Sequence, residues 1–114
     1  MPSALPDGDP APPSGRLPDD ALAAVGERSW GIYVHVPYCR VRCGYCDFNT
    51  YALPELATAP TEAGPADYTD LVLGELDLAV QVLGNRATTV DTVFLGGGTP
   101  TLLPAADLAR LLHG

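Results

Sequence analysis

At 114 residues the chain has room for at most one small domain. Its 14 acidic and six basic side chains, none of them lysine, leave a formal charge of −8, which argues against nucleic acid and anionic membrane surfaces, because both are bound through clustered Lys and Arg. No apolar run approaches the roughly 20 residues that span a bilayer, and the first residues lack the basic region and apolar run of a secretory signal, so a soluble acidic protein of the cytoplasm is expected.

Six of the 12 prolines fall within the first 18 residues, among Asp, Ser, Gly and Ala. So few large apolar groups cannot offset the entropy of ordering the chain, and residues 1–28 are expected as a flexible Pro-rich tail with a short helical turn at Asp19–Val25, capped by Asp19 or Asp20. Trp30–Val36 is β-branched and aromatic and stops at Pro37, the pattern of a strand with Ile32, Val34 and Val36 on one face and Tyr33 and His35 on the other. Pro37–Ala66 is a long connection: its first half holds all three cysteines, and Leu53–Pro65 is expected as a flexible surface insertion. A helix is expected from about Asp67, with Tyr68, Leu71, Val72, Glu75, Leu76, Ala79, Val80 and Leu83 forming its stripe and Gly84–Asn85 its stop. Thr89–Leu95 reads as a second strand running into Gly96–Gly97–Gly98, and Pro104 as the first residue of a helix to about Leu112. Strand, helix, strand, helix is the βαβ signature of a parallel α/β sheet. Two strands leave sheet edges unpaired, so the chain is expected to be the N-terminal piece of a longer protein.

Cys39, Cys43 and Cys46 form a C-x₃-C-x₂-C cluster within eight residues. An odd count in a reducing compartment points to metal or redox chemistry in place of disulfides. Thiolates are the usual ligands of iron–sulfur clusters, and a [4Fe–4S] cube ordinarily takes four; three would leave one iron with an open position, the mark of a reactive metal site. Gly44 would permit a tight path between the second and third ligands, and Arg40 and Arg42 are placed to offset thiolate charge or simply to be solvated. A structural zinc site of three Cys and one His is the alternative, with His35 and His113 as the available histidines; a redox disulfide between Cys43 and Cys46 would leave Cys39 unexplained.

The glycine triplet directly follows the second strand, at the sheet end where parallel α/β folds bind ligands. The first strand delivers the cysteine loop at that same end. Glycines there let the backbone approach a ligand and offer it N–H and C=O groups. The stretch lacks the pattern of a dinucleotide or P-loop site.

With both motifs in view, the sequence resembles the radical SAM superfamily (SAM, S-adenosyl-L-methionine): Cys39-x₃-Cys43-x₂-Cys46 with Tyr45 before the third cysteine carries the likeness. Tyr33–Val–His–Val–Pro–Tyr–Cys39 and Phe94–Leu–Gly–Gly–Gly–Thr–Pro–Thr101 narrow it to the oxygen-independent coproporphyrinogen III oxidase family and its HemW-type haem-chaperone branch. The resemblance covers Trp30–Leu112. It implies an incomplete (βα)6 partial barrel, of which residues 29–114 would be the first βαβα portion. It implies a [4Fe–4S] cluster on Cys39, Cys43 and Cys46, and SAM bound to the open iron and contacted by Tyr33, Tyr45, Gly97, Gly98 and Thr99, with Gly96 a weaker candidate. His35, on the face of Tyr33, lines the site or serves as a hydrogen-bonded structural histidine. Phe48 stands where the oxidase has a further cysteine, so the resemblance favours the chaperone branch, with haem as a third bound group. It makes an unknown haem acceptor the partner and a homodimer one arrangement. The oxidase, acting on propionate side chains of a porphyrinogen, is the alternative.

Overall fold

The computed structural model describes residues 7–46, 48–58, 64–86 and 89–114. Its centre is a two-stranded parallel sheet. Strand β1 (Gly31–Val36) pairs with β4 (Thr92–Gly97) in a register that runs from Gly31↔Thr92 to Val36↔Gly97. Between them lie a short parallel bridge of β2 (Tyr38–Cys39) with β3 (Tyr51–Ala52), helix α2 (Leu53–Thr58) and the long helix α3 (Pro65–Leu83). Helix α4 (Ala105–His113) closes the described chain, and α1 (Asp19–Ala24) precedes the sheet.

The alternation in β1 sets the layers. Val34 and Val36 are buried and join Tyr38, Leu103 and Leu111 in the core, with Ile32, Tyr68, Val72, Leu73, Leu95 and Leu108 packed around them. Tyr33 and His35 point to the opposite face, where Tyr33 is 55% exposed. Two helices therefore cover one face of the sheet through apolar burial, and the aromatic face is left open.

Helix α3 starts at Pro65, two residues before the expected Asp67, because proline's fixed φ suits a first helical position whose N–H needs no partner. It stops at Gly84, whose φ of 56° is the left-handed cap glycine favours, and whose N–H donates to the Val80 carbonyl. Of the expected stripe, Tyr68 and Val72 pack on the core, whereas Leu71 and Val80 are exposed in this stretch of chain. The Tyr68 hydroxyl donates to the His35 carbonyl, and its ring meets Tyr38 edge to face with centroids 5.5 Å apart. Burial, with Tyr38 and Glu75 nearby, pushes the Tyr68 phenol up to about 12.

Several boundaries differ from the sequence expectation. Strand β4 begins at Thr92 and not Thr89; just before it the Asp91 N–H donates to the Trp30 carbonyl (2.8 Å) and its carboxylate accepts the Trp30 N–H (2.8 Å), holding the chain at the sheet entrance. At its other end β4 runs on through Gly96 and Gly97. Pro104 is the residue before helix α4, with ψ of 145°, and not its first helical residue; the helix extends to His113. Leu53–Thr58, expected in a flexible insertion, is helix α2, and its Leu56 packs against the core; residues 59–63 lie outside the described residues. The short turn expected at Asp19–Val25 is present as α1, but its cap is Pro18 without a side-chain bond, and Asp19 instead pairs with Arg16 at 2.9 Å. Leu22 of that helix is buried, and a Cβ on Gly15 would touch Leu78 of α3. The helix expected within the 1–28 tail thus carries a buried leucine.

Candidate metal and cofactor site

Because β1 and β4 are parallel, their carboxyl ends lie side by side, and the segments that follow them meet there. Two backbone bonds join these segments. The Gly98 N–H donates to the Val36 carbonyl at 2.8 Å, and the Thr99 N–H to the Tyr38 carbonyl at 2.7 Å. The triplet is therefore sewn to the start of the cysteine loop. Of the triplet's amides, expected to be offered to a ligand, that of Gly98 is committed within the fold, as is the Thr99 N–H that follows it. What remains there for a ligand is carbonyl oxygen and bare backbone surface.

The glycines are needed for space. A Cβ on Gly98 would stand 2.5 Å from the Tyr38 carbonyl oxygen and 2.9 Å from the Cys39 Sγ, closer than real Cβ contacts come. Gly97 has φ of 100°, and a Cβ there would strike the His35 ring at 2.7 Å. Gly44 differs: it has neither a left-handed φ nor a crowded Cβ position, so the tight path expected of it is not required by the geometry.

On the open face His35 is held at both ring nitrogens. Nε2 lies 2.7 Å from the Asn49 carbonyl, which can only accept, so Nε2 carries the proton. Nδ1 then accepts from the Tyr33 hydroxyl at 3.0 Å in the neutral imidazole. Tyr33 in turn stacks on Phe94, with centroids 5.9 Å apart and planes 22° from parallel. Tyr33, His35 and Phe94 form a fixed aromatic wall that leads up to Gly96. The Asn49 carbonyl, which returns from beyond the cysteines to hold this wall, carries no sequence signal, since any residue type supplies a backbone carbonyl.

All three cysteines are free thiols. Cys39 on β2 is half-buried beside Gly98. Cys43 is exposed, and Cys46 is half-buried at the close of a turn in which its N–H donates to the Cys43 carbonyl at 3.1 Å. Among the described residues no three His, Cys, Asp or Glu side chains converge on a point that a single ion would occupy. The zinc alternative also loses His35, whose ring nitrogens already have partners. A cluster instead spreads its thiolates over separate iron atoms. The donor set fits such a group: three free thiols on one short loop, the first against a turn that any side chain would fill. Tyr45 is 91% exposed and stands in solvent, and Thr99 is exposed above the turn. Arg42, weighed as a partner for thiolate charge, turns toward Thr50 and Glu55.

The model of the radical SAM superfamily matches residues 33–113, and the chain belongs to that superfamily. Membership implies SAM and a [4Fe–4S] cluster as cofactors. The chain is 45% identical over 91 residues to the heme chaperone HemW of Mycobacterium tuberculosis (strain CDC 1551 / Oshkosh), covering 80% of this chain and 22% of that one. It is 40% identical over 83 residues to the heme chaperone HemW of Escherichia coli K12, covering 73% and 20%. It is 32% identical over 81 residues to the anaerobilin synthase of Escherichia coli O157:H7, covering 71% and 17%. The chain thus spans about a fifth of the length of these curated relatives. No solved structure gives a significant match. Among the described residues no helix is long and apolar enough to cross a membrane.

Proposed function

We propose that the chain is the N-terminal part of a HemW-like haem chaperone of the cytoplasm, in which Cys39, Cys43 and Cys46 hold a [4Fe–4S] cluster with SAM on its open iron. Residues 29–114 are then the opening βαβα portion of a (βα)6 partial barrel, preceded by the Pro-rich tail 1–28. The observation that carries the reading is the approach of Gly98 to Cys39. A side-chain-free turn lies against the first thiol of the cysteine loop, so close that a Cβ on Gly98 would meet the Cys39 Sγ at 2.9 Å.

When bound, the cluster and SAM supply one-electron chemistry at the sulfonium. The chain's own residues bind and orient. Cys39 is placed by β2, while Cys43 and Cys46 sit across a hydrogen-bonded turn. Gly97 and Gly98 let the backbone lie against His35 and Cys39, and the carbonyls of this turn and the hydroxyl of the exposed Thr99 would contact SAM. Tyr33, bonded to His35, and the exposed Tyr45 would contact the bound SAM. The chaperone branch is supported by two relatives named for haem chaperoning at 45% and 40% identity. It is also supported by Phe48, 64% exposed, at the position of the oxidase's further cysteine.

Haem titration of the full-length protein tests this reading. A saturable Soret band is expected, together with no protoporphyrinogen when coproporphyrinogen III and SAM are supplied anaerobically to the cluster-loaded protein. Turnover to protoporphyrinogen would overturn the chaperone reading in favour of the oxidase.

A further inference from the structure

Arg42 lies between the first two cysteines, and its contacts run away from them. Its Nη2 donates to the Thr50 carbonyl at 2.6 Å and to Glu55 Oε2 at 2.9 Å. The same carboxylate oxygen accepts the Ala52 N–H at 3.0 Å. Ala52 is the ladder partner of Cys39. The three cysteines are thus held from one anchor. Cys39 pairs with Ala52 directly, and the stretch bearing Cys43 and Cys46 is closed at its base by Arg42 reaching the carboxylate that Ala52 also holds.

We propose that Arg42 and Glu55 are a positioning pair that sets the spacing of the cysteine loop before a cluster is bound. The inference rests on the reading of the three cysteines as cluster ligands. Three thiolates on one loop repel each other and must be ordered when a cluster forms; a loop already closed across residues 42–55 loses less entropy in that step. The pairing differs from simple charge compensation. If Arg42 served only to offset thiolate charge, removing Glu55 would release the guanidinium toward the thiolates and strengthen cluster retention. A positioning pair predicts the opposite sign.

The test is a double-mutant cycle on the full chain, reconstituted anaerobically with iron and sulfide, following the rate at which a strong iron chelator bleaches the cluster. For a half-exposed ion pair closing the loop, Arg42→Ala and Glu55→Ala are each expected to speed bleaching about fivefold, and the double variant by the same factor rather than about 25-fold. Glu55→Gln keeps the side-chain shape should an alanine variant fail to fold, and a rise of about twofold is expected from it. Slower or unchanged bleaching in the Glu55 variants, or a multiplicative double variant, overturns the pairing. A parent chain that binds no iron overturns the cluster reading and the pairing together. A parent that holds its cluster while the variants hold it equally well overturns the pairing alone.

Discussion

Cys43→Ser is expected to abolish the visible iron–sulfur absorbance after anaerobic reconstitution while leaving the apo protein folded. Serine offers an alcohol whose proton is held too tightly to ligate iron as a thiolate does. The Cys43 side chain is exposed and makes no core contact, so apo stability should shift by no more than about 0.5 kcal/mol. The two effects separate ligation from folding. Iron and sulfide content per chain, measured beside the denaturation midpoint of the apo form, checks both. Full absorbance in the variant would remove Cys43 from the ligand set.

Gly98→Ala is expected to damage fold and site together. The added Cβ meets the Tyr38 carbonyl oxygen at 2.5 Å and the Cys39 Sγ at 2.9 Å. The Tyr38 carbonyl does not yield readily. The Tyr38 carbonyl accepts from the Thr99 N–H, the Tyr38 side chain is 2% exposed in the core, and the Gly98 N–H is itself tied to Val36. Overpacking of this kind destabilises by about 1–3 kcal/mol, and the least costly relief moves the Cys39 thiol out of position. Apo stability should therefore fall by that amount, with iron uptake reduced as well. Gly44→Ala, at a position with no atom within 4 Å of the added Cβ, is the matched control and should leave both unchanged. An unperturbed Gly98→Ala protein would show that the turn does not press on Cys39.

Much of this arrangement is legible in the residues. The alternation of Ile32, Val34 and Val36 against Tyr33 and His35 specifies the faces of β1, and Pro37 ends it. Parallel pairing follows from strand, helix and strand, and it brings the cysteine loop and the glycines to one sheet end. The cysteine spacing carries the chemistry before any fold is known. What escapes the sequence depends on distant partners. The Asp91 bonds to Trp30 at the entrance to β4 are one such case, since nothing local to Asp91 signals them. The β2–β3 bridge and the Arg42–Glu55 pair join positions 13 residues apart across a loop that reads as irregular. The commitment of the Gly98 and Thr99 amides is also invisible, because glycine-rich turns look alike whether their N–H groups face a ligand or the neighbouring strand. In the α3 stripe, Leu71 and Val80 are exposed in this stretch of chain, since periodicity reports which residues are apolar and not which surface receives them.

The claim that three thiols grip a cluster with one iron left open for SAM is tested most directly by electron paramagnetic resonance of the reduced, reconstituted full chain with and without SAM. A [4Fe–4S]⁺ signal that shifts when SAM is added is expected. A protein that forms no such cluster, or one whose signal is the same in both samples, would contradict it.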